Sequence, residues 1–208
     1  MRGKNNKIQL THELHYPQSV GLLYSTFTAF LGFEVNEGEW KVMGLAPYGK
    51  PIIDLSEFAR PADPLYAKCD YKDIVARFGP RRLGALEEKH KDIAASLQAT
   101  LEKILIHMVQ EYNVETLCMA GGVALNCVAN GRLIEEKYVK DIFVQPASSD
   151  AGGALGAAVY LAMQDGHNFD KMEHIYYGPS YTNEQIKKIL DLCGIKYEFH
   201  KDIAGVAA

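Results

Sequence analysis

Residues 116–126 read TLCMAGGVALN, and residues 141–156 read DIFVQPASSDAGGALG. In each stretch a short apolar run, typical of a buried strand, leads through a glycine-containing loop into a helical pattern. Two strand–loop–helix units in succession predict parallel strands joined by right-handed connections. The sequence therefore predicts an α/β fold, with helices over about 124–137 and 151–163 beside the two strands.

The rest of the chain is mostly helical in its hydrophobic spacing, with apolar residues three and four positions apart. The predicted helices span residues 20–31, residues from Asn36 to a break at 46–49, residues 83–112 and residues 182–192. Residues 50–70 contain three prolines and predict an irregular connector, whereas residues 195–200 predict a final strand.

The composition favours a globular protein with neither a nucleic-acid nor a membrane partner. The 208 residues suffice for one domain or two small ones, and the formal net charge is −4. Proteins that bind nucleic acid through phosphates usually carry a basic excess, which this chain lacks. No apolar run is long enough to cross a bilayer, and residues 1–9 are too polar for a secretory signal. Four widely spaced cysteines are typical of reduced thiols, so a cytoplasmic location is expected.

The first glycine loop, residues 120–126, contains Gly121 and Gly122 at a turn between strand and helix. Residues without Cβ allow backbone N–H groups and a helix N-terminus to approach an anion or a ribose. Asn126 can both donate and accept, which suits a sugar hydroxyl or a base edge. The alternative is that the glycines only permit tight packing and that Asn126 is buried and satisfied.

The second glycine loop, residues 148–153, places Asp150 immediately before a predicted helix. Gly152 and Gly153 lie close to the start of that helix. A carboxylate here is a hard oxygen ligand for a divalent metal, and the glycines would let phosphates approach the helix end. The alternative is that Asp150 caps the helix with its side chain.

A third segment, residues 38–49, carries Lys41 between glycine-containing turns. Lys41 could meet a phosphate or carboxylate as a point charge, or it could be an exposed lysine on an amphipathic helix.

Four segments in this order, residues 16–25, 38–49, 119–131 and 148–158, resemble the NodU/CmcH-type O-carbamoyltransferase family. The resemblance implies an actin/hexokinase-like (ribonuclease H-like) lobe with a parallel or mixed sheet flanked by helices. It implies a carbamoyl-adenylate, made from carbamoyl phosphate and ATP, whose carbamoyl group passes to a hydroxyl of a small-molecule acceptor.

The resemblance also assigns site residues. The nucleotide-binding residues that it implies are Gly121, Gly122, Val123, Asn126, Gly152 and Gly153. Asp150 is the implied ligand of a divalent metal, with Fe, Zn and Mg left open, and Lys41 is a catalytic candidate through anion binding. Because Cys118 and Cys127 are expected to be buried, a covalent carbamoyl-enzyme is disfavoured.

Family members carry an earlier half-domain with metal-binding histidines and a later YrdC-type domain. Residues 1–178 are therefore expected to be a second actin-like lobe, residues 179–208 the start of a linker, and the chain alone inactive. A homodimer, or missing lobes in the full-length protein, is expected to cover exposed apolar surface. Candidate residues for that surface are Leu22, Leu23, Phe27 and Phe30. The alternatives are an ATP-dependent kinase, a tRNA threonylcarbamoyl-type relative, and a non-catalytic nucleotide-binding or oligomerising module.

Overall fold

The computed structural model describes residues 1–4, 7–62, 65–169 and 172–207. The chain divides into two compact units, Met1–Phe169 and Asp170–Ala208. No helix among these described residues is long and apolar enough to cross a membrane.

The first unit contains six strands in three pairs among its described residues. The strands are β1 (Arg2–Lys4), β2 (Lys7–Gln9), β3 (Ala59–Arg60), β4 (Tyr66–Ala67), β5 (Thr116–Met119) and β6 (Asp141–Val144). The pairs β1–β2 and β3–β4 are antiparallel, whereas β5 and β6 are parallel. In the parallel pair Thr116 lies opposite Asp141, and Met119 lies opposite Val144.

Helices form most of the core of the first unit. The helices of the first unit are α1 (Val20–Phe30), α2 (Glu39–Leu45), α3 (Tyr71–Phe78), α4 (Glu88–Glu111), α5 (Cys127–Glu135) and α6 (Ala151–Gln164). Short 3-10 turns span Ala46–Tyr48 and Gly122–Leu125. The second unit contains α7 (Asn183–Leu192) and α8 (Ile203–Ala207).

The α/β class and the parallel strand pair predicted from the sequence are confirmed. The finer assignment to an actin/hexokinase-like lobe stays a prediction. The expectation that β5 is a buried strand is wrong, because its residues alternate between exposed and half-buried. Leu117 packs against a small cluster around Val109 and Leu133, whereas Cys118 points to the opposite, exposed face. Cys127 is also exposed, so both thiols expected to be buried are open to solvent.

The main core lies where α1 packs against α3, α4 and the segment around Phe58. Phe27 meets Phe58 edge-on with ring centroids 5.6 Å apart, and Phe78 lies within about the same reach of both. The expectation that Leu23, Phe27 and Phe30 belong to a self-association surface is wrong, because this core buries all three. Phe58 and Phe78, which come much later in the sequence, pack against Phe27, and Phe78 also packs against Phe30.

Two helix starts differ from the predicted ones for local reasons. α4 begins at Glu88 rather than near residue 83, because Arg82 is tied to the end of α1: its N–H donates to the Phe30 carbonyl at 3.1 Å. α2 begins at Glu39 rather than Asn36, whose φ of 70° lies outside the helical region. The Glu39 carboxylate still reaches back, accepting from the Asn36 N–H at 3.1 Å.

The second unit confirms one prediction and contradicts another. Thr182 and Gln185 form the predicted capping box, with Gln185 N–H donating to the Thr182 hydroxyl at 3.2 Å. Residues 195–200 do not form the predicted strand. A strand needs a partner, and the described residues of this unit provide none.

Candidate functional site

The two glycine loops lie side by side because the strands that precede them are parallel. The N–H of Gly121 donates to the Ser148 carbonyl at 2.5 Å, and Gln145 N–H donates to the Met119 carbonyl at 3.2 Å. Gly121 has a φ of 94°, a left-handed conformation that favours glycine. The structure therefore brings together two segments that are about 25 residues apart in the sequence, at the carboxyl ends of both strands.

The first glycine loop is anchored on one side and open on the other. Val123 is half-buried and packs against Gly21 of α1, where an added Cβ would stand 3.3 Å from its Cγ2. At Gly122 an added Cβ would meet no atom within 4 Å. A ligand could therefore approach the backbone at Gly122, whereas the Val123 side chain is already used to hold the turn.

Asn126 sits at the start of α5 with only 8% of its surface exposed. Its Oδ1 accepts from the Ala129 N–H at 2.9 Å and from Gln98 Nε2 at 3.1 Å. Its Nδ2 donates to Gln98 Oε1 at 2.9 Å. The side chain therefore caps α5 and pairs with another amide. This agrees with the alternative in which Asn126 is buried and its hydrogen bonds are satisfied. Its contact with a nucleotide stays a prediction.

Asp150 precedes α6, but its side chain makes no capping hydrogen bond. The capping alternative is therefore wrong: Asp150 is itself helical, with φ −53° and ψ −32°, so its side chain does not fold back over the first turn. Its carboxylate is exposed and has no hydrogen bond or ion pair with any described residue. It is free to meet a cation.

The two glycines in the first turn of α6, Gly152 and Gly153, differ in the space around them. An added Cβ at Gly152 would collide with the Ala147 carbonyl oxygen, so this position needs glycine for close packing. An added Cβ at Gly153 would meet nothing within 4 Å. Of these two positions, Gly153 is therefore the one that leaves room for a ligand.

Within the described ranges no three side chains of His, Cys, Asp or Glu come together as a metal site. Asp150 would thus contribute a single carboxylate to any metal site here. That donor set fits a hard cation such as Mg²⁺ that is shared with substrate phosphates, since Mg²⁺ is commonly held by one or two carboxylates and phosphate oxygens. A closed Zn or Fe site needs further ligands that these described residues do not bring near Asp150.

Lys41 lies on the exposed face of α2, and none of the described residues that its side chain contacts belongs to either glycine loop. Its ammonium is 5.4 Å from the centroid of the Trp40 ring, and both side chains are exposed. Among the residues that the structure describes, it has no hydrogen bond or ion pair. No polar contact therefore joins Lys41 to either glycine loop, and its catalytic role stays a prediction.

A buried polar network behind the first glycine loop was missed by the sequence interpretation. Gln98 of α4 is 5% exposed and lies between the Tyr24 hydroxyl, at 3.1 Å, and Asn126. Gln98 Nε2 also donates to Glu102 at 2.8 Å, and Glu102 pairs with Arg132 of α5 at 2.7 Å. Burial above all, with the nearby Glu102 charge, raises the pKa of Tyr24 well above its usual range, so its hydroxyl remains a donor.

One sequence signal could have found this network. Gln98 stands four residues after Ala94 and three before Leu101, and both of those belong to the buried face of α4. An amide on such a face predicts a buried polar partner, although the spacing does not say which one.

The family model described as "Carbamoyltransferase N-terminus" matches residues 1–159. The chain belongs to this carbamoyltransferase family. Both glycine loops and the Gln98 network lie inside the matched range.

Individual relatives agree with this membership. The uncharacterized protein sll1178 of Synechocystis sp. is 41% identical, over 96% of this chain and 38% of its own length. Nodulation protein NolNO of Sinorhizobium fredii is 36% identical, over 91% of this chain and 30% of its own length. A tRNA N6-adenosine threonylcarbamoyltransferase of Fusobacterium nucleatum is 28% identical, over 62% of this chain and 43% of its own length. The chain thus spans about a third of the length of the first two relatives.

Proposed function

We propose that this carbamoyltransferase-family chain supplies the nucleotide- and metal-binding side of an O-carbamoyltransferase site. The reaction proposed for the complete site starts from a carbamoyl-adenylate, made from carbamoyl phosphate and ATP. It transfers the carbamoyl group to a hydroxyl of a small-molecule acceptor. The observation that carries the proposal is the contact between the two glycine loops at the carboxyl ends of β5 and β6, within the range that the family model matches.

The geometry suits a phosphate-bearing ligand. The N-terminus of α6 carries a partial positive charge, and the open space at Gly153 would let a phosphate approach it. The open space at Gly122 would let the same ligand approach the backbone of the neighbouring loop. Binding at both loops would fix the nucleotide relative to the Asp150 carboxylate.

Asp150 is the proposed metal ligand because its carboxylate is exposed and unpaired among the described residues. A divalent ion there would neutralise charge that develops on the leaving adenylate phosphate. The Asp150 carboxylate would hold this ion beside the phosphates. Without the cation, its negative charge would repel them.

Direct transfer to the acceptor is preferred over a covalent carbamoyl-enzyme. The burial expected for Cys118 and Cys127 does not support this preference, since both thiols are exposed. The reason is different: a cysteine nucleophile needs an adjacent base, and neither thiol is hydrogen-bonded to His, Asp or Glu among the described residues.

A second candidate is transfer of a threonylcarbamoyl group to tRNA, which the similarity to the Fusobacterium enzyme favours. The net charge of −4 weighs against a tRNA substrate, because phosphate recognition benefits from a basic surface. We therefore retain a small-molecule acceptor as the proposal.

Calorimetric titration with ATP and with a non-hydrolysable adenylate analogue, with and without Mg²⁺ or Fe²⁺, tests the proposal. Gly153→Ala fills only open space in a helix, so it should not lower stability but should weaken nucleotide binding about tenfold or more. Asp150→Asn should remove the metal dependence of binding.

Gly131→Ala is the matched control, because it adds the same methyl group in open space on α5. Its affinity should equal that of the unaltered chain. Unchanged affinity in Gly153→Ala, together with unchanged metal dependence in Asp150→Asn, would contradict the proposed site. No binding at millimolar nucleotide would show that this chain alone does not hold the ligand.

A further inference from the structure

Gln98 is buried, with 5% of its surface exposed, and every hydrogen-bonding site of its amide is occupied. Its Oε1 accepts from the Tyr24 hydroxyl at 3.1 Å and from Asn126 Nδ2 at 2.9 Å. Its Nε2 donates to Glu102 at 2.8 Å and to Asn126 Oδ1 at 3.1 Å. An amide offers two donors and two acceptor sites, so nothing is left over for a ligand or a water.

We propose that Gln98 is a positioning residue that holds the first glycine loop in its ligand-ready conformation through Asn126. The ligand part of this inference rests on the proposed function. The mechanical part, that Gln98 fixes the loop, stands on the contacts alone.

The transmission runs through Asn126. Two reciprocal hydrogen bonds with Gln98, one donated by each amide, fix the orientation of the Asn126 amide, whose Oδ1 accepts from the Ala129 N–H. The Asn126 N–H in turn donates to the Val123 carbonyl at 3.0 Å, and the Ala124 N–H donates to the Gly121 carbonyl at 3.0 Å. The turn is therefore bonded, step by step, back to the amide of Gln98.

A leucine would fill the space of Gln98 but could not replace it. Without the amide, three buried or half-buried groups would lose partners: the Tyr24 hydroxyl, the Glu102 carboxylate and the Asn126 amide. If the Asn126 side chain could rotate freely, the loop would become ordered only when the ligand binds. The entropy lost in ordering the loop would then weaken binding. Packing alone therefore does not explain a glutamine at this position.

Gln98→Glu separates positioning from packing, because it preserves shape and its protonation can be controlled. The ionised carboxyl cannot donate to Asn126, and it lies beside Glu102. The protonated carboxyl restores one donor and one acceptor. The ionisable groups that face this position are Tyr24 from α1, Glu102 from α4 and, through Glu102, Arg132 from α5.

The test is hydrogen exchange of backbone amides, followed by mass spectrometry on peptides that cover residues 120–131 and, for reference, residues 20–31. Gln98→Glu at about pH 8 should lower the protection of the loop peptide about tenfold relative to the reference peptide. Because burial and the adjacent Glu102 carboxylate both raise the pKa of a carboxyl at position 98, protection should return towards that of the unaltered chain at about pH 5.5. Each variant is compared with the unaltered chain at the same pH. Gln98→Leu should lower loop protection at both pH values.

Ile104→Ala is the control, because it removes a fully buried side chain from the same helix without touching the amide pair. Ile104→Ala should lower the exchange protection of the loop peptide and of the reference peptide to the same extent. Unchanged relative protection of the loop in Gln98→Glu and Gln98→Leu would overturn the inference.

Nucleotide titration of the same variants tests the functional part separately. Gln98→Glu should weaken binding about tenfold at about pH 8 and recover at about pH 5.5. A loosened loop with unchanged nucleotide affinity would overturn the ligand-positioning role. If the unaltered chain binds no nucleotide, the proposed function of this chain fails, while the exchange data still decide whether Gln98 holds the loop.

Discussion

His90 is a buried side chain at the start of α4 whose hydrogen bond depends on its protonation state. It is 4% exposed, and its Nδ1 accepts from the Glu87 N–H at 3.0 Å in the first turn of α4. This bond requires an unprotonated Nδ1. Burial above all lowers the pKa of His90 below its ordinary value of 6.5, with the nearby Glu87 charge opposing the shift.

Because the folded pKa is depressed, acid favours the unfolded state, which takes up the proton first. The free energy of unfolding should therefore fall as the pH drops below 6.5, and it should level off below the folded pKa. His90→Gln keeps an acceptor at a capping-box position but cannot titrate, so its stability should depend less on pH. Urea unfolding between about pH 7.5 and about pH 5 measures the difference.

His167→Gln, at an exposed position, is the control and should follow the pH profile of the unaltered chain. Parallel profiles for the unaltered chain and His90→Gln would show that His90 does not contribute to acid sensitivity.

At the scale of elements, α4 organises the segment that follows α2. The Lys50 N–H donates to Asp92 Oδ1 at 2.7 Å, and the Ile53 N–H donates to Ser96 Oγ at 3.1 Å. Gly49 lies so close that an added Cβ would collide with the Lys91 carbonyl. The irregular connector is thus fixed against one side of a long helix by its own backbone groups.

Gly49→Ala should therefore destabilise the chain by about 1–3 kcal/mol, because the backbone of α4 cannot move aside without disturbing the core. Gly44→Ala, in open space within α2, should be neutral or stabilising by about 0.5–1 kcal/mol. Equilibrium urea unfolding of the two variants distinguishes them. Equal stabilities would contradict the close contact at Gly49.

The elements also show what a sequence can predict. The helical spacing of α1 and α4 and the two strand–loop–helix units are local patterns, and they predicted those helices and the parallel strand pair. They did not predict α3. Features that depend on distant partners were not predictable in this way. Arg82 delays the start of α4 by bonding to α1, and Asn126 finds Gln98 across 28 residues of sequence. Neither pairing has a local signature.

At the scale of the whole molecule, α6 is an apolar helix without a buried residue. Leu155 is 43% exposed, Tyr160 51% and Leu161 63%. Several large exposed apolar side chains on one helix favour an interaction site or an aggregation liability. Leu22, at 38%, is the one member of the originally expected set that remains exposed.

The chain is therefore expected to self-associate, with α6 rather than the buried face of α1 as the contributing surface. Sedimentation velocity at increasing concentration should show larger species, and the double variant Leu155→Gln, Leu161→Lys should remain monomeric. Leu22→Gln is the control and should associate like the unaltered chain. A monodisperse monomer that binds no hydrophobic dye would contradict the prediction.

The amide pair between Gln98 and Asn126 has one further consequence, for the uniqueness of the fold. Ile93, Leu97, Leu101 and Ile104 are so alike that sliding α4 by one turn would exchange one aliphatic side chain for another at small cost. The same slide would bury the Gln98 amide against apolar atoms and orphan its partners, at roughly 1–3 kcal/mol for each unsatisfied group. Such a polar chain adds little to net stability, but it separates one arrangement of α4 energetically from near-equivalent competitors.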